Sequence, residues 1–207
     1  MDTPFSLGFL RPLLLPPGTA PAMPTGLLPA AVLVPLYYDE KGQPRVLLTQ
    51  RTQEVEHHKG EVSFPGGARD PCDRDLVATA LREAEEEVGV EPGRVEVLGF
   101  LPPVTTRSRF AILPVVGSLA ALPLLKANAR EVAAVLEVPL STLLDPSLLR
   151  EEAHLRDGRV TRGLAFVYNR SVIYGATARI LTEFIRRLAR ALGREVPWRD
   201  SQMGFAA

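Results

Sequence analysis

Two long segments of helical periodicity stand among eight shorter runs of β-type residues, and a layered α/β domain buries both kinds at once. The β-type runs are Ala30–Tyr38, Arg45–Arg51, Val62–Phe64, Arg94–Leu101, Phe110–Leu119, Glu131–Val138, Ala153–Arg156 and Val160–Tyr168. Asp157-Gly158 joins the last two as a hairpin. One helix is expected from about Asp75 to Val88, with Asp73 or Asp75 as its cap and Gly89 as its stop. Another is expected from Gly175 to Leu192, where Leu181, Phe184, Ile185, Leu188 and Leu192 form one apolar stripe. Pro139–Leu144 reads as a short helical turn. No internal repeat or linker interrupts the chain. The expectation is one α/β domain over residues 30–192, an α/β/α sandwich around a central mixed sheet. Residues 1–29 hold seven of the nineteen prolines and predict an extended arm rather than a helix, and 193–207 form a C-terminal tail.

Composition narrows the chemistry. Twenty-four basic residues balance twenty-four acidic ones, so the bulk field attracts neither nucleic acid nor an anionic membrane. An anionic ligand must be met by a local arrangement. Cys72 is the single cysteine, which excludes an internal disulfide. The uncharged stretch Phe110–Leu125 is broken by Pro114, Gly117 and Pro123, too short and interrupted to span a bilayer. A cytoplasmic location is the default expectation.

The first helix breaks local rules. Residues 82–90 read Arg-Glu-Ala-Glu-Glu-Glu-Val-Gly-Val. Acids in the last turns oppose the helix dipole at roughly 0.3–1 kcal/mol each. Glu83 and Glu87 are also like charges one turn apart, costing about 0.2–0.5 kcal/mol more. Between Asp70 and Glu91 there are eight acids and two arginines, so the neutral total hides a segregated negative stretch. Cation binding rationalises the arrangement. Glu83, Glu86 and Glu87 share one helix face, and an oxygen-only donor set suits Mg²⁺ or Mn²⁺. Glu85 points elsewhere, and Arg82 lies where it can hold Glu86. Gly66-Gly67, just upstream, lets the backbone approach a metal or phosphate closely.

Gly67 together with Arg82 through Gly89 resembles the box of the Nudix hydrolases: Gly, five residues, Glu, seven residues, then Arg-Glu-apolar-any-Glu-Glu-any-Gly-apolar. Here Asp73 takes the place of the first Glu, and eight residues separate it from Arg82. This stretched form resembles the coenzyme A diphosphatase branch. So do Leu47-Leu48-Thr49-Gln50-Arg51-Thr52, Gly60 through Gly67, and the later landmarks Glu131-Val132, Val138-Pro139-Leu140 and Tyr174 through Ala178. The likeness covers roughly residues 30–190. Glu56 stands where the branch usually has Arg, and Arg109 where it usually has Gly.

The resemblance implies metal-dependent hydrolysis of coenzyme A or acyl-CoA to 3′,5′-ADP and 4′-phosphopantetheine. Another nucleoside diphosphate derivative (ADP-ribose, NADH or a dinucleotide), or a binding module without turnover, are its alternatives. It implies Mg²⁺ or Mn²⁺ held by Glu83, Glu86, Glu87 and the Gly67 carbonyl, with Arg82 in support. Either a box glutamate or Glu131 from a downstream strand end serves as general base. Arg51, His58, Lys59 and Arg109 are the candidate phosphate contacts. The expected partners are the small-molecule substrate and, as an option, a second copy of the chain in a homodimer. Phe64 reads as core, Cys72 as incidental, and the Arg186-Arg187-Arg190-Arg194 series as a solvated helix face.

Overall fold

The computed structural model describes residues 5–18, 20–52, 60–156, 159–196 and 198. In chain order the elements are α1 (Leu7–Leu10), β1 (Leu28–Tyr38), β2 (Pro44–Arg51), β3 (Val62–Ser63), β4 (Gly66–Ala68), α2 (Leu76–Val88), β5 (Val95–Phe100), β6 (Val104–Thr105), β7 (Phe110–Leu119), β8 (Val132–Pro139), α3 (Leu140–Leu143), β9 (Leu149–Arg156), β10 (Arg159–Tyr168), β11 (Ser171–Ile173) and α4 (Gly175–Ala191).

β1 and β7 run parallel at the centre, in register from Leu28 opposite Phe110 to Leu36 opposite Ser118. β2 and β4 pair antiparallel with β1, β3 and β8 with β2, and β5 and β6 with β7. The sheet is therefore mixed. Its central strands are buried on both faces, so they read as nearly continuous apolar runs. Alternate residues serve different helices: Leu33, Leu47 and Val115 join the core under α2, while Val34, Leu48 and Val116 join the core under α4. The stripe Leu181, Phe184, Ile185 and Leu188 lies in the α4 core as its spacing predicts. No helix among the described residues is long and apolar enough to cross a membrane.

Two expectations are corrected. The hairpin at 153–168 begins earlier, at Leu149, and gains β11, making a separate three-stranded antiparallel sheet. The arm is not wholly extended. Ser6 caps the single turn of α1 by accepting from the Phe9 N–H at 3.2 Å, and a 3-10 turn follows at Arg11–Leu13. Residues 5–11 contain no proline, and Pro12 sits at the start of the 3-10 turn, where its missing N–H is not needed. Leu10 and Leu14 are buried in the α4 core, and Leu15 bridges to Phe100 at the edge of β5, which covers that edge.

Candidate active site

α2 begins and ends by local chemistry. Asp75 has extended backbone and its carboxylate accepts from the Ala78 N–H at 2.8 Å. Gly89, at φ +75°, ends the helix in the left-handed conformation that glycine adopts without strain. Ala80, Ala84 and Val88 form the inner stripe against the sheet. Glu87 borders that stripe, so packing the helix carries its side chain inside, to 3% exposure.

There Glu87 meets the end of β2. Arg51 Nη1 lies 3.8 Å from Glu87 Oε1. Glu87 Oε2 and Arg51 Nε are both buried and without a hydrogen-bond partner. Burial pushes the Glu87 carboxyl up to about 8; the Arg51 charge and the Gly66 N–H oppose that rise, and the charges of Glu83 and Glu131 add to it. Glu83 is raised as well, first by burial, with Arg82 opposing. Such unsatisfied polar atoms are costly in a buried place, and here a carboxyl and a guanidinium group lie side by side.

The two glycines have separate duties. A Cβ on Gly66 would stand 2.4 Å from the Ala31 carbonyl oxygen, and one on Gly67 would stand 2.6 Å from Cδ of Glu83. The first collision is with backbone and the second with a side-chain end. Gly66→Ala is therefore expected to lower stability by about 1–3 kcal/mol. Gly67→Ala is expected to leave the thermal midpoint nearly unchanged while displacing Glu83 and reducing turnover. Melting curves and kcat of the two variants check this; equal loss of stability in both would refute it.

Arg82 is the hub of the loop before the helix. Its Nε and Nη2 donate to Asp73 at 3.0 and 3.1 Å, and its Nη1 lies 2.8 Å from Glu83 and 3.1 Å from Glu86. Asp73 is buried and also accepts from Thr79 Oγ1 at 2.8 Å and the Asp70 N–H at 2.9 Å. It anchors Arg82 and leaves the capping to Asp75. Glu86 is exposed at the rim, tethered by Arg82, and Glu85 is exposed. Among the described residues no three Asp, Glu, His or Cys side chains close into a ready-made cation site. Sharing one helix face does not bring all three glutamates together: Glu83 and Glu87 turn inward, and Arg82 stands between Glu83 and Glu86.

Glu131 comes to this place from the far side. Its carbonyl accepts from the Thr52 N–H at 2.9 Å, next to Arg51, and its charge acts on both Glu83 and Glu87. Arg109, with φ +64°, instead donates from its side chain to the Gly26 carbonyl of the arm at 3.2 Å. Glu56, His58 and Lys59 lie outside the described residues. Phe64 is core at 1% exposure, and Cys72 is a free, exposed thiol. Arg186 and Arg187 pair with Glu183.

The NUDIX domain family matches residues 27–157. The chain belongs to the Nudix family. It is 40% identical over 159 residues to the uncharacterized Nudix hydrolase NudL of Photorhabdus laumondii subsp. laumondii, covering 77% of this chain and 84% of the relative. The NudL of Enterobacter sp. (strain 638) is 43% identical over 164 residues, covering 79% and 82%. A MutT/nudix family protein of Enterococcus faecalis superposes with a TM-score of 0.49 at 17% identity, covering 85% of this chain and 71% of that structure. The sandwich is thus the Nudix fold, and the protein is a Nudix hydrolase acting on phosphorus anhydrides of small nucleoside diphosphate derivatives. Nudix hydrolases generally require a divalent cation such as Mg²⁺ or Mn²⁺.

Proposed function

We propose that this Nudix hydrolase cleaves the diphosphate of coenzyme A or acyl-CoA, releasing 3′,5′-ADP and (acyl-)4′-phosphopantetheine. One observation carries the reading: Arg51, from the upstream block that resembles the CoA-directed branch, meets Glu87, from the Nudix box, at 3.8 Å. The two sequence blocks therefore build one centre.

The residues fit a divalent cation. Glu87 Oε2 is buried without a partner, Gly67, having no Cβ, lets the Glu83 carboxylate lie against its backbone, and the donors are all oxygens. Glu83, Glu86, Glu87 and the Gly67 carbonyl would hold Mg²⁺ or Mn²⁺, which supplies charge neutralisation and a more acidic bound water. Arg82 orients Glu83 and Glu86 for that task. Arg51 offers a guanidinium to the diphosphate. Glu131 takes the proton of the attacking water as the new P–O bond forms and the bridging P–O bond breaks. His58, Lys59 and Arg109 are further contacts for the 3′-phosphate, the last after release from Gly26.

Incubation with Mg²⁺ or Mn²⁺ and CoA, acyl-CoA, NADH or ADP-ribose, with products separated by chromatography, tests this. CoA or acyl-CoA is expected to be hydrolysed, and Arg51→Ala to raise KM by about 10-fold or more, as expected for loss of a charge-assisted contact. Turnover of ADP-ribose without CoA would overturn the substrate. Tight binding of one compound with no turnover of any would instead favour a binding module.

A further inference from the structure

The segment between β7 and β8 runs past the C-terminal end of α2. An α-helix leaves its last four carbonyls without intrahelical partners. Two of those in α2 are met from this segment: the Lys126 N–H donates to the Val88 carbonyl at 2.9 Å and the Asn128 N–H to the Glu87 carbonyl at 2.8 Å. Asn128 is thereby bonded to the backbone of the residue whose carboxylate lies buried beside Arg51. The same residue turns the chain. Its carbonyl accepts from the N–H groups of Glu131 and Val132 at 2.9 and 2.8 Å, and its Oδ1 accepts from the Arg130 N–H at 3.2 Å. Its Nδ2 donates to the Glu131 carboxylate at 3.2 Å.

We propose that Asn128 is a positioning residue for the reaction, fixing the Glu131 carboxylate relative to Glu87; this rests on the reading of Glu131 as the base. An asparagine amide offers an acceptor and a donor at once. The acceptor closes the turn and the donor aims the carboxylate. Thr52, the residue after β2, completes the hold, its Oγ1 donating to the Arg130 carbonyl at 2.9 Å. The base candidate is thus tied to the helix bearing Glu83 and Glu87 and to the strand bearing Arg51. No local sequence pattern marks Asn128, because its partners at 87 and 131 belong to different elements.

A double-mutant cycle tests the proposal. kcat and KM are measured for wild type, Asn128→Ala, Glu131→Gln and the double variant, on whichever of CoA, acyl-CoA, NADH and ADP-ribose the wild type hydrolyses. Failure of CoA as substrate therefore leaves this test standing. Glu131→Gln should lower kcat by about 10²–10⁴-fold. Asn128→Ala should lower it by about 10- to 100-fold with KM little changed, as a misplaced group does. In the Glu131→Gln background, Asn128→Ala should change kcat by less than about twofold, since the group it positions is already disabled. Asn128→Asp keeps the turn acceptor and loses the donor, so it should lose kcat while hydrogen exchange of the Glu131 and Val132 amides stays as protected as in wild type. An equal factor lost in both backgrounds, or wild-type kcat in Glu131→Gln or in Asn128→Asp, would overturn the proposal.

Discussion

Glu87→Gln should remove nearly all turnover and, with divalent ions chelated, make the protein more stable than wild type at pH 8 to 9. The activity loss follows from removing a charge that would help hold the cation. Such an ion supplies several kcal/mol of transition-state stabilisation and each 1.36 kcal/mol is tenfold in rate, so a fall of about 10³-fold is expected. The stability gain follows from the carboxyl being pushed up to about 8 by burial, against about 4.3 in an unfolded chain. Between those values the unfolded state releases the proton while the folded state retains it. Stability is therefore lost as pH rises from about 4.3 through 8. Glutamine resembles the protonated side chain and escapes this loss. The gain should be at most on the order of 5 kcal/mol at pH 8.5 and be nearly gone by pH 4.5. Thermal melts in chelator at the two pH values measure it. A variant less stable than wild type at pH 8.5 would refute the account of burial, and unchanged turnover would refute the role.

Helix α2 was legible almost to the residue, because its limits are set locally. Asp75 caps the first turn and Gly89 leaves the last. The central strands were legible because burial on both faces writes uninterrupted apolar runs such as Phe110–Leu119. The acids of α2 were legible as an oddity, since they sit where the helix dipole penalises them. Their disposition was not. Spacing puts Glu83, Glu86 and Glu87 on one face, but packing against the sheet buries Glu87, and Arg82 holds Glu86 at the rim. The pairing of Arg51 with Glu87 joins residues from different elements, which periodicity cannot report. The arm misled for a simpler reason. Its prolines are spread over the whole of residues 1–29, whereas the helical turn needs only the proline-free residues 5–11 and a serine cap. β11 is three residues long, too short to carry a period of its own.

Asp73→Ala is expected to be the most destabilising single change in the site, by about 3 kcal/mol, the lower end for breaking a buried ion pair because Arg82 is partly exposed. In a domain of this size that corresponds to a fall in melting temperature of about 6–12 °C. The removed carboxylate takes away two of the acceptors of Arg82, one of Thr79 and that of the Asp70 N–H. Turnover should fall too, since Arg82 is then free to swing away from Glu83 and Glu86. The loss should depend on acid in a definite sense. The Arg82 guanidinium holds the Asp73 carboxyl well below the usual carboxylate range, helped by the Asp70 N–H and Thr79 against the cost of burial. A depressed carboxyl stabilises the fold above its unfolded value of about 3.9 and loses that contribution as pH falls further. Melting curves of wild type and Asp73→Ala should therefore stay apart from pH 5 upward and converge below about pH 4. Asp73→Glu makes the complementary test. The usual box has glutamate and seven residues before its arginine; this chain has aspartate and eight. The added residue in the loop offsets the missing methylene in the side chain, so the longer acid overfills a closed pocket and should cost about 1–3 kcal/mol. Deleting Arg74 together with Asp73→Glu restores the usual spacing and should recover stability relative to Asp73→Glu alone. A double variant no more stable than the single one would show that loop length and acid length are unrelated here.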